Sequence, residues 1–306
     1  MRSRPFENGL HVLVEQLING LVAGSMYALI ALGFALVFGV LNKLNFAHAE
    51  LFMLGGFLTI SLMSLGMPLL VAAIAACIGI GLGGLLVELI SFRKFTGKDS
   101  HVTAALSSLA LGLVLIDGAQ KIWGTEPVSV PVSTTFRTAG VAIGGVSVSW
   151  LKIGILLFTV ALMVTLHYVI SRTRLGRDIR ATADAPEAAQ LLGINIRRVN
   201  QQTFVIASAL AAIAGVMLIL RTGYATTDVG FTLGLKALAI LAIGGMGEFR
   251  GAVIGGLLVG VVEAAAFHFG FGRLADVAVW LLMIIVLLVR PAGLFAGSAL
   301  HKEARA

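Results

Sequence analysis

The chain has 306 residues, 58% of them hydrophobic and 12% charged, with a net charge of +7 and a mean hydropathy of +0.99. Soluble domains carry roughly a quarter charged residues, so half that fraction together with long apolar runs makes lipid the solvent for most of this chain. The basic excess does not read as a nucleic-acid surface: Lys and Arg gather in loops between apolar runs, and no basic patch carries interleaved aromatics.

Crossing a hydrocarbon core of about 30 Å takes roughly 20 apolar residues. In chain order, spans are predicted over 17–41, 46–65, 67–90, 102–120, 150–171, 203–220, 231–246, 251–270 and 274–290. This is an all-α fold, a polytopic membrane helical bundle of about nine spans (eight to ten), forming one domain over 1–306. The run after Arg2 and Arg4 is too long for a cleavable signal and lacks a small-residue cleavage site. Cys77 stands alone, so there is no internal disulfide. The seventh run is short and contains Lys236, which predicts a broken or re-entrant helix. Four glycine pairs, Gly20 and Gly24, Gly79 and Gly83, Gly251 and Gly255, Gly256 and Gly260, each lie one turn apart and predict close helix packing.

The loops orient these spans. Segments 91–101, 172–202 and 290–306 are the richest in Lys and Arg, and nine spans put all three on one side, the cytoplasmic one. The N-terminus and the loop 121–149 then lie outside. That loop carries Pro127 and Pro131 among Val, Ser and Thr, and reads as irregular or β-hairpin-like.

Within 172–202 the sequence writes a short helix. Asp184 and Glu187 have capping-box spacing, which predicts Asp184 as N-cap and Glu187 at the third helical position. Pro186 suits the first turn, and Gly193 supplies a left-handed stop. Two turns are too few to be stable alone. Its apolar residues Ala188, Ala189, Leu191 and Leu192 therefore need a surface, either the helix ends of this chain or a cytosolic partner.

Glu187-Ala-Ala-Gln-Leu-Leu-Gly193 resembles the EAA loop of bacterial ABC importer permeases. The stretches Asn19–Phe34, Leu44–Glu50 (with Ala49 where Gly is usual), Leu175–Ala181, Ala239–Gly247 and Arg290–Leu294 resemble one branch of them, the permease subunits of branched-chain amino-acid type (Liv-type) importers. The resemblance covers nearly the whole chain, and of the two related permeases it fits the one without a long N-terminal extension. It implies an inner-membrane, multi-pass transport subunit that is not itself an enzyme. The implied partners are a second homologous permease subunit in a heterodimer, two ATP-binding subunits and a periplasmic substrate-binding protein. No cofactor is bound by this chain; ATP and Mg belong to the partner subunits. The resemblance further implies alternating access, driven through a coupling helix that seats Asp184, Pro186, Glu187, Ala188, Ala189, Leu191, Leu192 and Gly193 in a cleft of the ATPase.

Charges inside apolar runs cost on the order of 2.5–3.5 kcal/mol each at a helix centre, so they need a reason. Glu50, Glu88, Asp117, Lys236, Glu263 and His268 qualify. Glu50 and Glu88 read as structural ion pairs with Lys43, Arg93 or Lys94, with Asn45, His48 and Glu50 as the alternative, a cytoplasmic gate. Asn45 is placed to cap its helix, and His48 and Glu50 point to different faces. Glu263 is expected to face protein or water, with substrate contact as the sharper role. Asn19, Ser25 and Tyr27 are the polar candidates for the pathway in the first span. No metal-ligand spacing, nucleophile elbow or P-loop is present. The rival reading is a self-sufficient secondary transporter or channel with an ion site near Asp117 or Glu263. An intramembrane enzyme is a further rival, but it lacks a catalytic pair. Within the importer reading, urea and amides stand beside amino acids as substrates.

Overall fold

An amide in lipid has no water to bond with, so an apolar run satisfies its backbone within itself. The computed structural model describes residues 5–95, 100–132, 137–143 and 146–295. Arg2 and Arg4, residues 96–99, 133–136 and 144–145, and the tail from 296 with Lys302 and Arg305 lie outside the described residues.

Every predicted span has become a helix: α1 (Pro5–Leu41), α2 (His48–Ser64), α3 (Leu69–Val87, continued by a π-turn over Glu88–Phe92), α4 (Ser100–Trp123) and α5 (Trp150–Arg172). After α6 (Arg174–Asp184) and α7 (Pro186–Leu191) come α8 (Ile196–Thr222), α9 (Val229–Gly244), α10 (Phe249–His268) and α11 (Ala275–Val289). Seven of the described helices are long and apolar enough to cross a membrane, while α2 and α9 are shorter. The helix α6 is a finding that the sequence reading did not include. The seventh run is short, as expected, but it is not broken: α9 is continuous through Lys236.

Packing centres on α1, whose residues 22–36 are all buried, and on its antiparallel partner α10. Here the glycine pairs act as expected. A Cβ on Gly24 would lie 2.7 Å from the Gly256 carbonyl oxygen, and one on Gly260 would lie 2.5 Å from the Gly24 Cα. Backbones at that separation exclude any side chain. The pair Gly79 and Gly83 behaves otherwise: Gly79 meets only Leu58, and Gly83 faces open space. It is Gly84 that lets α3 approach α8, where a Cβ would sit 2.7 Å from the Phe204 carbonyl oxygen.

The loop 121–149 is β-hairpin-like in part. Strands β2 (Gly140–Ile143) and β3 (Val146–Ser149) form an antiparallel hairpin, and β1 (Val128–Ser129) pairs with β4 (Tyr224–Ala225) after α8.

The two short helices set up the interior. Helix α2 begins beside α1 two turns before α1 ends, with the His48 ring 4.6 Å from that of Phe34. Ala47 lies against Gly112, halfway along α4. Thus α2 starts part-way across the bundle. Helix α9 starts at the same place, Gly230 against Ala49 and Glu50, and Gly234 against Ala49. Two helix N-termini therefore meet inside the apolar slab.

Candidate functional site: a capped loop helix and two buried carboxylates

The loop helix is built by three local devices. The Thr173 hydroxyl accepts from the Gly176 amide at 3.2 Å and starts α6, which then runs through Asp184. Pro186 bars the helical conformation from the residue before it, and Ala185 is extended, with φ −154° and ψ 84°. This corrects the capping-box expectation. Asp184 ends α6 and does not cap α7; Ala185 holds the N-cap position with no side-chain cap, and Glu187 is the second helical residue. Pro186 at the first position is as expected. So is the stop: Gly193 has φ +87°, and two amides close the end, Gly193 to the Gln190 carbonyl and Ile194 to the Ala189 carbonyl, both at 3.0 Å.

The apolar residues of α7 divide. Ala189 is buried, where α7 leans on α6 and α8. Ala188 is exposed, and Leu191 and Leu192 are 89% and 82% exposed. A single alanine seats the helix on its own chain, and two leucines project away from it.

The second constellation joins four helices around Glu263 of α10, a residue 7% exposed. The Tyr27 hydroxyl of α1 donates to Glu263 Oε2 at 2.8 Å, and Lys236 Nζ of α9 donates to Oε1 at 2.6 Å. Lys236 also pairs with Asp276 of α11 at 2.7 Å and lies 5.7 Å from the centre of the Tyr27 ring. As expected, Glu263 faces protein. Sequence reading flagged Lys236 as a charge in an apolar run but did not name Asp276. The signal available for that residue was an acid in the first turn of the last span.

The third constellation is Asn45, His48 and Glu50, all at most 3% exposed. Asn45 is not a side-chain cap: Ala47 occupies the N-cap of α2, and neither amide atom of Asn45 has a hydrogen-bond partner. Its position two residues outside the first turn explains this. The expected ion pair of Glu88 is present, to Arg93 at 2.7 Å, but that of Glu50 is not. Lys43 instead donates to the Phe95 carbonyl, and Glu50 Oε2 is buried without a partner. His48 and Glu50 do not pair, as expected; the His48 ring packs against Gly33 and Phe34.

The candidates of the first span separate. Tyr27 enters the Glu263 cluster, Ser25 donates to the Val22 carbonyl of its own helix at 2.8 Å, and Asn19 is half-buried. Asp117, the other rival ion site, is exposed and bonded to Lys121 at 2.7 Å. Among the described residues no group of three His, Cys, Asp or Glu side chains is arranged to hold a metal ion.

A family model described as "Branched-chain amino acid transport system / permease component" matches residues 16–288. The chain is 35% identical to the high-affinity branched-chain amino acid transport system permease protein BraD of Pseudomonas aeruginosa, over 94% of this chain and 97% of that one. It is 33% identical to LivH of Escherichia coli (strain K12), of the same description, with the same coverage. A more distant relative is the ribose import permease protein RbsC of Haemophilus influenzae, 26% identical over 82% of this chain and 77% of that one.

Proposed function

The chain belongs to the permease family of branched-chain amino acid transport systems, and from that premise we propose that it forms the transmembrane path of an ATP-driven importer for branched-chain amino acids. It is a multi-pass membrane protein and a transport subunit, and hydrolysis of ATP with Mg falls to partner subunits. The relatives' names support the substrate class; the sugar permease among them shows how widely one scaffold serves. The partners are two ATP-binding subunits, a periplasmic substrate-binding protein and a second, homologous permease in a heterodimer. Loop 172–202 faces the cytoplasm and the transport cycle is alternating access.

One observation carries the coupling role: Leu191 and Leu192 stand exposed on a helix too short to persist by itself, held rigid by its capped end. Helix α7 fits a cleft of the ATP-binding subunit, with Leu191 and Leu192 as its plug. Asn45, His48 and Glu50, where α2 and α9 meet, form the constriction that this movement opens. Asn19, half-buried, and Ser25, bonded to its own helix, stay candidates for the path along the first span.

Gly193→Val tests the coupling role. A Cβ at Gly193 would meet nothing within 4 Å, so the substitution acts through the backbone alone, where φ +87° opposes a β-branched residue. The purified complex should assemble, while ATP hydrolysis loses its stimulation by loaded binding protein and uptake falls at least about tenfold. Stimulated hydrolysis and uptake at wild-type levels would remove α7 as the coupling element.

A further inference from the structure

Beneath the meeting point of α2 and α9 lies a cavity of about 30 Å³, opening on the bundle surface between α4 and α9. Its walls are apolar: Leu109, Leu113 and Ile116 from α4, Phe231 and Leu235 from α9. Its ionisable lining residue is Glu50, 3% exposed, with Oε2 unpartnered. A buried carboxylate with no partner is costly, and native proteins keep one where something else completes it.

The surroundings define what completes it. Glu50 sits in the first turn of α2, and Gly230, in the first turn of α9, lies directly against Oε2. Two helix N-termini therefore lie beside this carboxyl group. The neighbouring cations are already engaged, Lys43 with the Phe95 carbonyl and Lys236 with Glu263 and Asp276. What is missing is a positively charged group joined to apolar bulk.

We propose that Glu50 receives the ammonium group of the transported amino acid, whose aliphatic side chain lies against Leu113, Phe231 and Leu235. This deepens the importer reading and rests on it. The cavity as it stands has room for water and not for an amino acid. The site therefore exists in full only when α4 draws away from α9. Helix α4 is placed to do so, since it is held mainly by α2 and the π-turn after α3. A site that is filled transiently suits a permease that must release what it takes.

The test is uptake of labelled leucine by the complete importer in proteoliposomes with its binding protein. Glu50→Gln keeps the shape and removes the charge; it should lower uptake at least about tenfold while the complex is recovered at wild-type yield. Glu50→Asp keeps the charge and should retain at least about a third of wild-type uptake. Glu50→Gln within twofold of wild type overturns the proposal. So does equal impairment of Gln and Asp variants, which would make shape and not charge the requirement, and so does loss of the assembled complex in both. The importer reading fails separately, if the wild-type complex itself shows no ATP- and binding-protein-dependent uptake of any branched-chain amino acid.

Discussion

Glu50 and Glu263 are both carboxylates sunk into an apolar bundle, and they have opposite surroundings. Glu263 has each oxygen bonded, one to Tyr27 and one to Lys236, and its cluster ties α1, α9, α10 and α11 together. Glu50 has an oxygen with no partner, two helix N-termini beside it and an apolar cleft in front. Glu263 has its partners in place, whereas Glu50 keeps an oxygen open to an incoming group, the role proposed for it above. From the sequence, Glu50 reads first as half of an ion pair and Glu263 as a residue facing protein, and it is the first of these that the structure does not contain. Distance along the chain explains the error: Lys43 is close to Glu50 in sequence but turned toward Phe95, whereas Lys236 is 27 residues from Glu263 and touches it.

The contrast is open to direct challenge through stability. The largest effect is expected for Lys236→Met, which strands the carboxylate of Glu263; removing one partner of a buried pair costs about 3–5 kcal/mol. Thermal unfolding of the purified complex should show a marked fall in midpoint, partly recovered when Glu263→Gln is added. An unchanged midpoint would mean that the cluster is not structural. Tyr27→Phe removes one hydrogen bond to a charged acceptor and should cost about 1.5–3 kcal/mol by the same measurement. The smallest effect is expected at the other carboxylate. Glu50→Gln loses no hydrogen bond at Oε2 and removes an unpaired buried charge, so its unfolding midpoint should be at or above that of the wild type while its uptake falls. A loss of stability as large as that of Lys236→Met would make the two carboxylates alike and end the comparison.

The loop helix teaches a related lesson at short range. Its stop was legible because Gly193 and the residues around it decide the left-handed turn among themselves. Its start was legible only in part. Pro186 marks the first helical position, but the capping box assumed that the chain before Asp184 was not helical. Thr173 had already launched α6, which occupies Asp184 and passes the cap position to Ala185. That Ala189 is anchored while Leu191 and Leu192 stand exposed was not legible, because it required the positions of α6 and α8.

By itself the sequence determined the nine apolar segments, the all-α class, the glycine faces of α1 and α10, and the proline-to-glycine frame of α7. Each depends on hydropathy, propensity or spacing within a few turns of one segment, and lipid enforces helix wherever such a run occurs. Tertiary structure alone decided that α2 and α9 begin inside the slab, that Lys236 reaches Glu263 and Asp276, that Gly84 and not Gly83 meets its neighbour, and that Glu50 is left without a cation. Those outcomes depend on which helix faces are brought together, and a charge buried in lipid takes its meaning from the side chains that packing places within about 4 Å of it.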